Sequence, residues 1–258
     1  MAKTFYYDSS GLLEATINDG TRNINSETGQ ISFSDGTTIT NEKRLVDGSI
    51  STAASDIGAS DALKVTFPTA QPIDFLGVYF NAAETNDLAI YYEATANNYS
   101  ASASITGSFS SGWNLTEFTS RTFATWLLAS SSASGTIDGL TEIIIGKKLA
   151  FEVTPDIGIS EQEIFGTNIN TSIGGNEYAV KLHEPKSTIS MSFSNISQTF
   201  KENLQALEAA VQNYKKFIYS EDGTTGTFHY VRLDSPITFV EVAFQRFSAS
   251  FTLREQPS

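Results

Sequence analysis

The sequence predicts a mainly β protein of two antiparallel β-sandwich domains, with a single packed α-helix in the second. Three observations carry this. Apolar and polar residues alternate with a period of two in many short segments. Ser, Thr, Asn, Asp and Gly fill the gaps between those segments. Only one stretch, late in the chain, repeats with a helical period. At 258 residues the chain suits two ordinary domains.

Residues 1–40 are polar and carry two turn signals, Asp19-Gly20 and Asp35-Gly36. Ile31 and Phe33 alternate with polar neighbours, so this stretch reads as an N-terminal arm or hairpin, one that could pair back into the C-terminal domain. Residues 41–152 read as the first sandwich. Its strands are marked by Val65 and Phe67, by Leu76, Val78 and Phe80, by Leu88, Ile90 and Tyr92, and by Phe123, Thr125 and Leu127. A short β-branched strand, Glu142 to Gly146, closes it. The SSSASGT stretch at 130–136 reads as a surface loop rather than a linker.

Residues 153–258 read as the second domain. From about 156 to 185 the pattern is weak, which leaves two readings open: an irregular excursion that contacts a neighbour, or two short strands. Ile189, Met191 and Phe193 then alternate with serines. Phe200, Leu204, Leu207, Val211 and Tyr214 follow at spacings of three and four, an apolar stripe along a helix. Thr199 with Glu202 forms a candidate capping box, and Lys215 and Lys216 suit the last turn. Phe239 to Leu253 reads as a strand pair.

Composition excludes several functions. A net charge of -13 opposes phosphate neutralisation, so no specific nucleic-acid partner is expected. No apolar run is long enough to span a bilayer, so no membrane insertion is expected. The absence of cysteine removes thiolate, zinc-thiolate and disulfide chemistry, and two histidines leave little for triads or histidine metal sites. No phosphate loop or nucleophile elbow is present, and the expectation is that the chain is not an enzyme and has no catalytic residues. Asp47-Gly48 and Glu142 form a candidate structural calcium site if the first sandwich brings them together; otherwise they are two solvated acids. Trp113, Trp126, Tyr91, Tyr92 and Tyr99 are candidate aromatic contacts for a glycan, with Trp113 and Tyr99 carried forward.

The 41–152 zone resembles the galactose-binding-like, or discoidin-type, jelly roll. The resemblance rests on Leu45-Val46-Asp47-Gly48 with Thr52, Leu63 to Phe67, Ile73 to Phe80, Leu88 to Tyr92, Trp113, Arg121 to Leu127, and Glu142 to Gly146. It implies calcium near Asp47 and Glu142, and sugar contacts through loop aromatics and arginines. The 153–258 zone resembles the tail-tube-like domains of distal tail and baseplate proteins of tailed bacteriophages. There the resemblance rests on Ile189 to Phe193, the helix from Thr199 to Tyr214, and Phe239 to Leu253.

Together the resemblances imply a structural protein of the virion tail, made in the host cytoplasm. They imply a homo-oligomer, a hexameric or trimeric ring, with tail tube, hub or fibre proteins as partners. The ring interface falls on Ile189, Met191, Phe193, Phe239, Phe244, Phe247 and Phe251. The rival readings are a carbohydrate-binding module or fibre-associated host-recognition protein, and a neck, minor capsid or decoration protein.

Overall fold

A computed structural model of the chain describes all residues except 1–2, 10–11, 13–14, 26–27, 29, 37–40, 52–56, 59, 106–108, 131–134, 157–159, 226 and 257–258. Thr52 and most of the 130–136 stretch therefore lie outside the described residues. The protein is mainly β with one α-helix among the described residues. It divides into two compact units, Lys3–Leu149 with Ser220–Phe228, and Ala150–Tyr219 with His229–Ser258.

The first unit contains β1 (Thr4–Tyr7), β2 (Thr16–Ile24), β3 (Ile31–Asp35), β4 (Asp61–Phe80), β5 (Leu88–Thr95), β6 (Asn98–Ile105), β7 (Gly112–Ser130) and β8 (Leu140–Ala150). Residues 4–35 thus supply three strands to this unit. β2 pairs with both β3 and β4, β3 with β6, β6 with β5, β5 with β7, and β7 with β4. These pairings close on themselves into a barrel-like ring, which leaves its six strands no open edge. β4 and β7 are long enough to continue past the ring. Gln71–Phe80 of β4 pairs there with β7 on one side, and Phe75–Phe80 with β8 on the other.

This arrangement explains why alternation breaks down in β4, β5 and β7. Leu63, Leu88, Ile90, Trp126 and Leu128 face the main core. Their neighbours Ala62, Ala89, Tyr91, Leu127 and Ala129 face a second core inside the ring. A strand buried on both faces reads as a continuous apolar run. β8 is buried likewise, and β1 lies beside it. A Cβ on Gly146 would stand 2.1 Å from the Tyr7 carbonyl oxygen, so only glycine allows β1 this approach.

The second unit contains β9 (Ser160–Thr171), β10 (Glu177–Ser197), α1 (Gln198–Val211), β11 (Phe217–Ser220), β12 (Phe228–Leu233), β13 (Thr238–Ala243) and β14 (Arg246–Glu255). Its strands run in the order β11-β12-β14-β10-β9, with β13 paired to β14. The weakly patterned 156–185 stretch is mostly a long hairpin of β9 and the first half of β10. α1 buries Phe200, Leu204, Leu207 and Val211 against this sheet. Phe193 stands edge-on to Phe200, 5.8 Å between ring centres.

Two details of the helix differ from the sequence expectation. Its N-cap is Ser197, whose hydroxyl accepts the Phe200 N–H at 3.1 Å, so Thr199 is not the cap. Glu202 instead accepts a bond from the Gln198 side-chain amide at 2.7 Å. The helix also ends earlier, where Gln212 turns to φ 50°; Tyr214, Lys215 and Lys216 lie beyond it and Tyr214 is exposed. Among the described residues, no helix is long and apolar enough to cross a membrane.

Candidate functional site

The main core of the first unit has a mouth lined by aromatic rings. Tyr92 follows the buried Tyr91 at the point where β5 leaves the interior, and Phe118 and Phe123 lie on β7. All three are half-buried and pack on the core. Tyr92 and Phe123 stack at 4.4 Å between ring centres and 19° between planes. Both lean edge-on against the fully buried Trp126, at 6.3 and 6.4 Å. Trp126 donates its indole N–H to the Phe123 carbonyl at 3.1 Å, which leaves no polar atom of the ring unsatisfied inside.

Arg121, exposed on β7, holds its guanidinium 5.5 Å from the Tyr92 ring centre. Residues 121 and 123 share a strand face by alternation, so one segment supplies a cation and an aromatic ring side by side. Strands anchored by Trp126 fix these groups. The surface combines apolar ring area with a guanidinium that can donate several hydrogen bonds in a plane.

The residues singled out from sequence fall elsewhere. Trp113 is buried, edge-on to Tyr79 at 5.5 Å. Tyr99 is buried in the ring core, where burial first, then Glu93 and Asp35, push its phenol up to about 12. Neither offers a ring face to a glycan, and Tyr91 and Trp126 are also core. Of the five aromatics considered, Tyr92 alone stays at the surface. Phe118, Phe123 and Arg121 were missed as site residues, although the Arg121-Thr122-Phe123 alternation could have paired the last two.

Asp47-Gly48 and Glu142 do come together. Gly48, at φ 75°, donates its N–H to Glu142 Oε1 at 3.2 Å, and Asp47 Oδ1 accepts the Ser49 N–H at 2.7 Å. Calcium takes six to eight oxygen ligands. Here each carboxylate already holds a backbone amide. Among the described residues no three acids or histidines converge. The described donors do not complete a calcium cage; the contact fastens the 47–49 turn to β8.

A second buried acid has a similar task. Glu84 accepts the N–H groups of Thr85, Asn86 and Asp138 at 2.6–2.7 Å, and the Asn86 side-chain amide at 3.1 Å. Burial alone would raise this carboxyl; the donors outweigh it and hold it below the usual carboxylate range. Asp74 shows the opposite balance. Burial holds its carboxyl above that range, although it accepts the Lys148 N–H at 2.8 Å. Beside it, Glu117 receives the Tyr6 hydroxyl at 2.8 Å and pairs with the Lys148 ammonium.

The proposed ring interface is largely interior. Ile189, Met191, Phe193, Phe247 and Phe251 are buried within the second unit; Phe239 is half-buried, and Phe244 is exposed. Side chains that fill one chain's own core cannot be the surface on which copies meet.

No family model and no curated protein matches the chain. Among solved structures it is similar to chitosan-binding module 1 of a chitosanase/glucanase from Paenibacillus sp. IK-5. The identity is 16%, over 55% of this chain and all of that one, with a TM-score of 0.37. A pectin-binding carbohydrate-binding module is similar at 15% identity, over 51% of this chain and 89% of the other, with a TM-score of 0.36. The carbohydrate-binding module of AlyQ, in complex with 4,5-unsaturated mannuronic acid, is similar at 15% identity, over 46% and 97%, with a TM-score of 0.34.

The expectation of a distal tail or baseplate protein is therefore corrected. The three structures named above are all carbohydrate-binding modules. The residues meant to build the ring are mostly core. The viral function and the location in a virion tail are both withdrawn.

Proposed function

We propose that the chain is a non-catalytic carbohydrate-binding protein whose first unit holds a glycan at the mouth formed by Tyr92, Phe118, Phe123 and Arg121. In this reading the first unit is a galactose-binding-like jelly roll to which residues 4–35 add three strands. One observation carries the proposal: half-exposed rings, stacked and braced by a buried tryptophan, with an arginine seated on them. The C–H face of a pyranose packs on such rings, and its hydroxyl or carboxylate oxygens accept bonds from a guanidinium. A rigid strand platform keeps the entropy cost of binding low.

The test is a glycan microarray probed with the whole chain and with Phe123→Ala. Wild type is expected to retain a set of related oligosaccharides, and the variant to lose that set while remaining folded by circular dichroism. Equal retention by both removes the mouth from consideration.

A further inference from the structure

The second unit holds two cavities that share the Ser235-Pro236 turn, just after β12, as a common wall. One, of about 280 Å³, lies between the end of α1 and the end of β12. Its polar lining is Glu208, Gln212, Asn213, Asp234 and Ser235, and Leu233 and the exposed Pro236 supply its apolar part. The other, of about 320 Å³, is lined chiefly by hydroxyls: Ser190 and Ser192 of β10, Thr238 of β13, and Ser250 and Thr252 of β14.

Hydrogen bonds fix the walls of the first cavity. Glu208 Oε1 accepts the Ile237 N–H at 2.9 Å, which ties α1 to the chain just past the turn. Arg232 donates to the Asn213 carbonyl at 3.1 Å and to Asp234 Oδ1 at 3.2 Å, which ties the residues after α1 to the end of β12. Arg254 stands 3.3 Å from the same Asp234 oxygen. These contacts use one oxygen of each carboxylate. Among the described residues, Glu208 Oε2, Asp234 Oδ2 and the side-chain amides of Gln212 and Asn213 have no hydrogen-bond partner.

The chemistry of these groups selects a ligand. A carboxylate oxygen only accepts, whereas a primary amide and a hydroxyl both donate and accept. A molecule that satisfies all of them must itself donate and accept at many points, as a polyol does. Charge narrows the class further. The carboxylates of Glu208 and Asp234 are matched by the guanidiniums of Arg232 and Arg254, so the first cavity has no excess charge with which to hold an ion. The carbonyl end of α1, at Val211, also disfavours an anion. No charged side chain lines the second cavity. We propose that the two cavities together bind a neutral disaccharide, or the end of a longer neutral glycan, with one sugar ring in each and the link over the Ser235-Pro236 turn. This site is separate from the mouth of the first unit and does not depend on it. Held by hydrogen bonds without a stacked aromatic ring, the ligand binds with a Kd on the order of 1 mM, which is read in solution rather than on a washed array.

The test uses the whole chain carrying Phe123→Ala, so that failure of the mouth in the first unit leaves the result untouched. The side-chain amide signals of Gln212 and Asn213 are followed by heteronuclear NMR during titration with cellobiose, maltose and lactose. The glucosamine disaccharide and the galacturonic acid disaccharide serve as the cationic and anionic comparisons. Expected is a saturable shift with at least one neutral disaccharide, and at least threefold weaker binding of both charged ones. Asn213→Ala and Thr238→Val, one at each cavity and both at exposed positions, are each expected to weaken that binding at least threefold with the far-ultraviolet circular dichroism unchanged. No saturable shift with any neutral disaccharide, equal or tighter binding of either charged one, or unchanged affinity in either variant overturns the proposal.

Discussion

Glu84 shows how a single buried carboxylate can hold loops in place. Its oxygens collect N–H donors from 85–86 and from Asp138, which ties two connections of the first unit together. Because its carboxyl is held below the unfolded value, the stability it contributes is present above about pH 4.3, the ordinary glutamate value. That contribution is lost as pH falls through the lower folded value. Glu84→Gln turns an amide N–H₂ toward these donors and is expected to cost about 2–3 kcal/mol at neutral pH, read by urea denaturation. The gap between variant and wild type should narrow in acid. Asp74 has the opposite sign. Its carboxyl is raised, so its charged form opposes folding above the folded value and the penalty vanishes below the unfolded one. Asp74→Asn is expected to raise the denaturation midpoint at pH 7 and to leave it unchanged in strong acid. Residue type alone did not reveal either role, since both acids look like any surface carboxylate in sequence.

At the scale of elements, α1 was legible because its four buried residues repeat at spacings of four, three and four. Its start was not, since Ser197 and Thr199 are equally good capping types and the difference lies in where β10 ends. Ser197→Ala is expected to destabilise the second unit by about 1 kcal/mol. Leu204→Ala, at a fully buried position, should cost about 2–5 kcal/mol. Both are checked by thermal or chemical denaturation. The β9–β10 ribbon was legible only as one of two open readings, because its described side chains are mostly exposed and its first strand is largely polar, so no buried face imposes a period on it. The closure of the barrel-like ring escaped for another reason: pairing of Thr16–Thr21 with Asp61–Thr66 is non-local. Trp113 and Tyr99 were misplaced because a large aromatic in a strand looks the same whether it points to a core or to a rim.

For the whole molecule, the sequence made the mainly β class and the lone helix legible, and its lack of thiol chemistry ruled out several activities. The function was misread where the order of strands and helix in the second half was taken for a ring-forming tail domain. The structure instead spends most of those apolar residues on the unit's own interior. The surviving candidate surface is the mouth of the first unit, and its strength as a site depends on whether Tyr92 contacts a sugar. The most direct measurement is calorimetric titration of wild type and Tyr92→Ala with the oligosaccharide that the array retains best. Loss of one stacked ring, about 1–1.5 kcal/mol, should weaken binding roughly tenfold at a temperature where both proteins are folded, the thermal midpoint itself falling with the lost packing on Phe123 and Trp126. The same affinity in both proteins, or no oligosaccharide bound by wild type at all, would contradict the account.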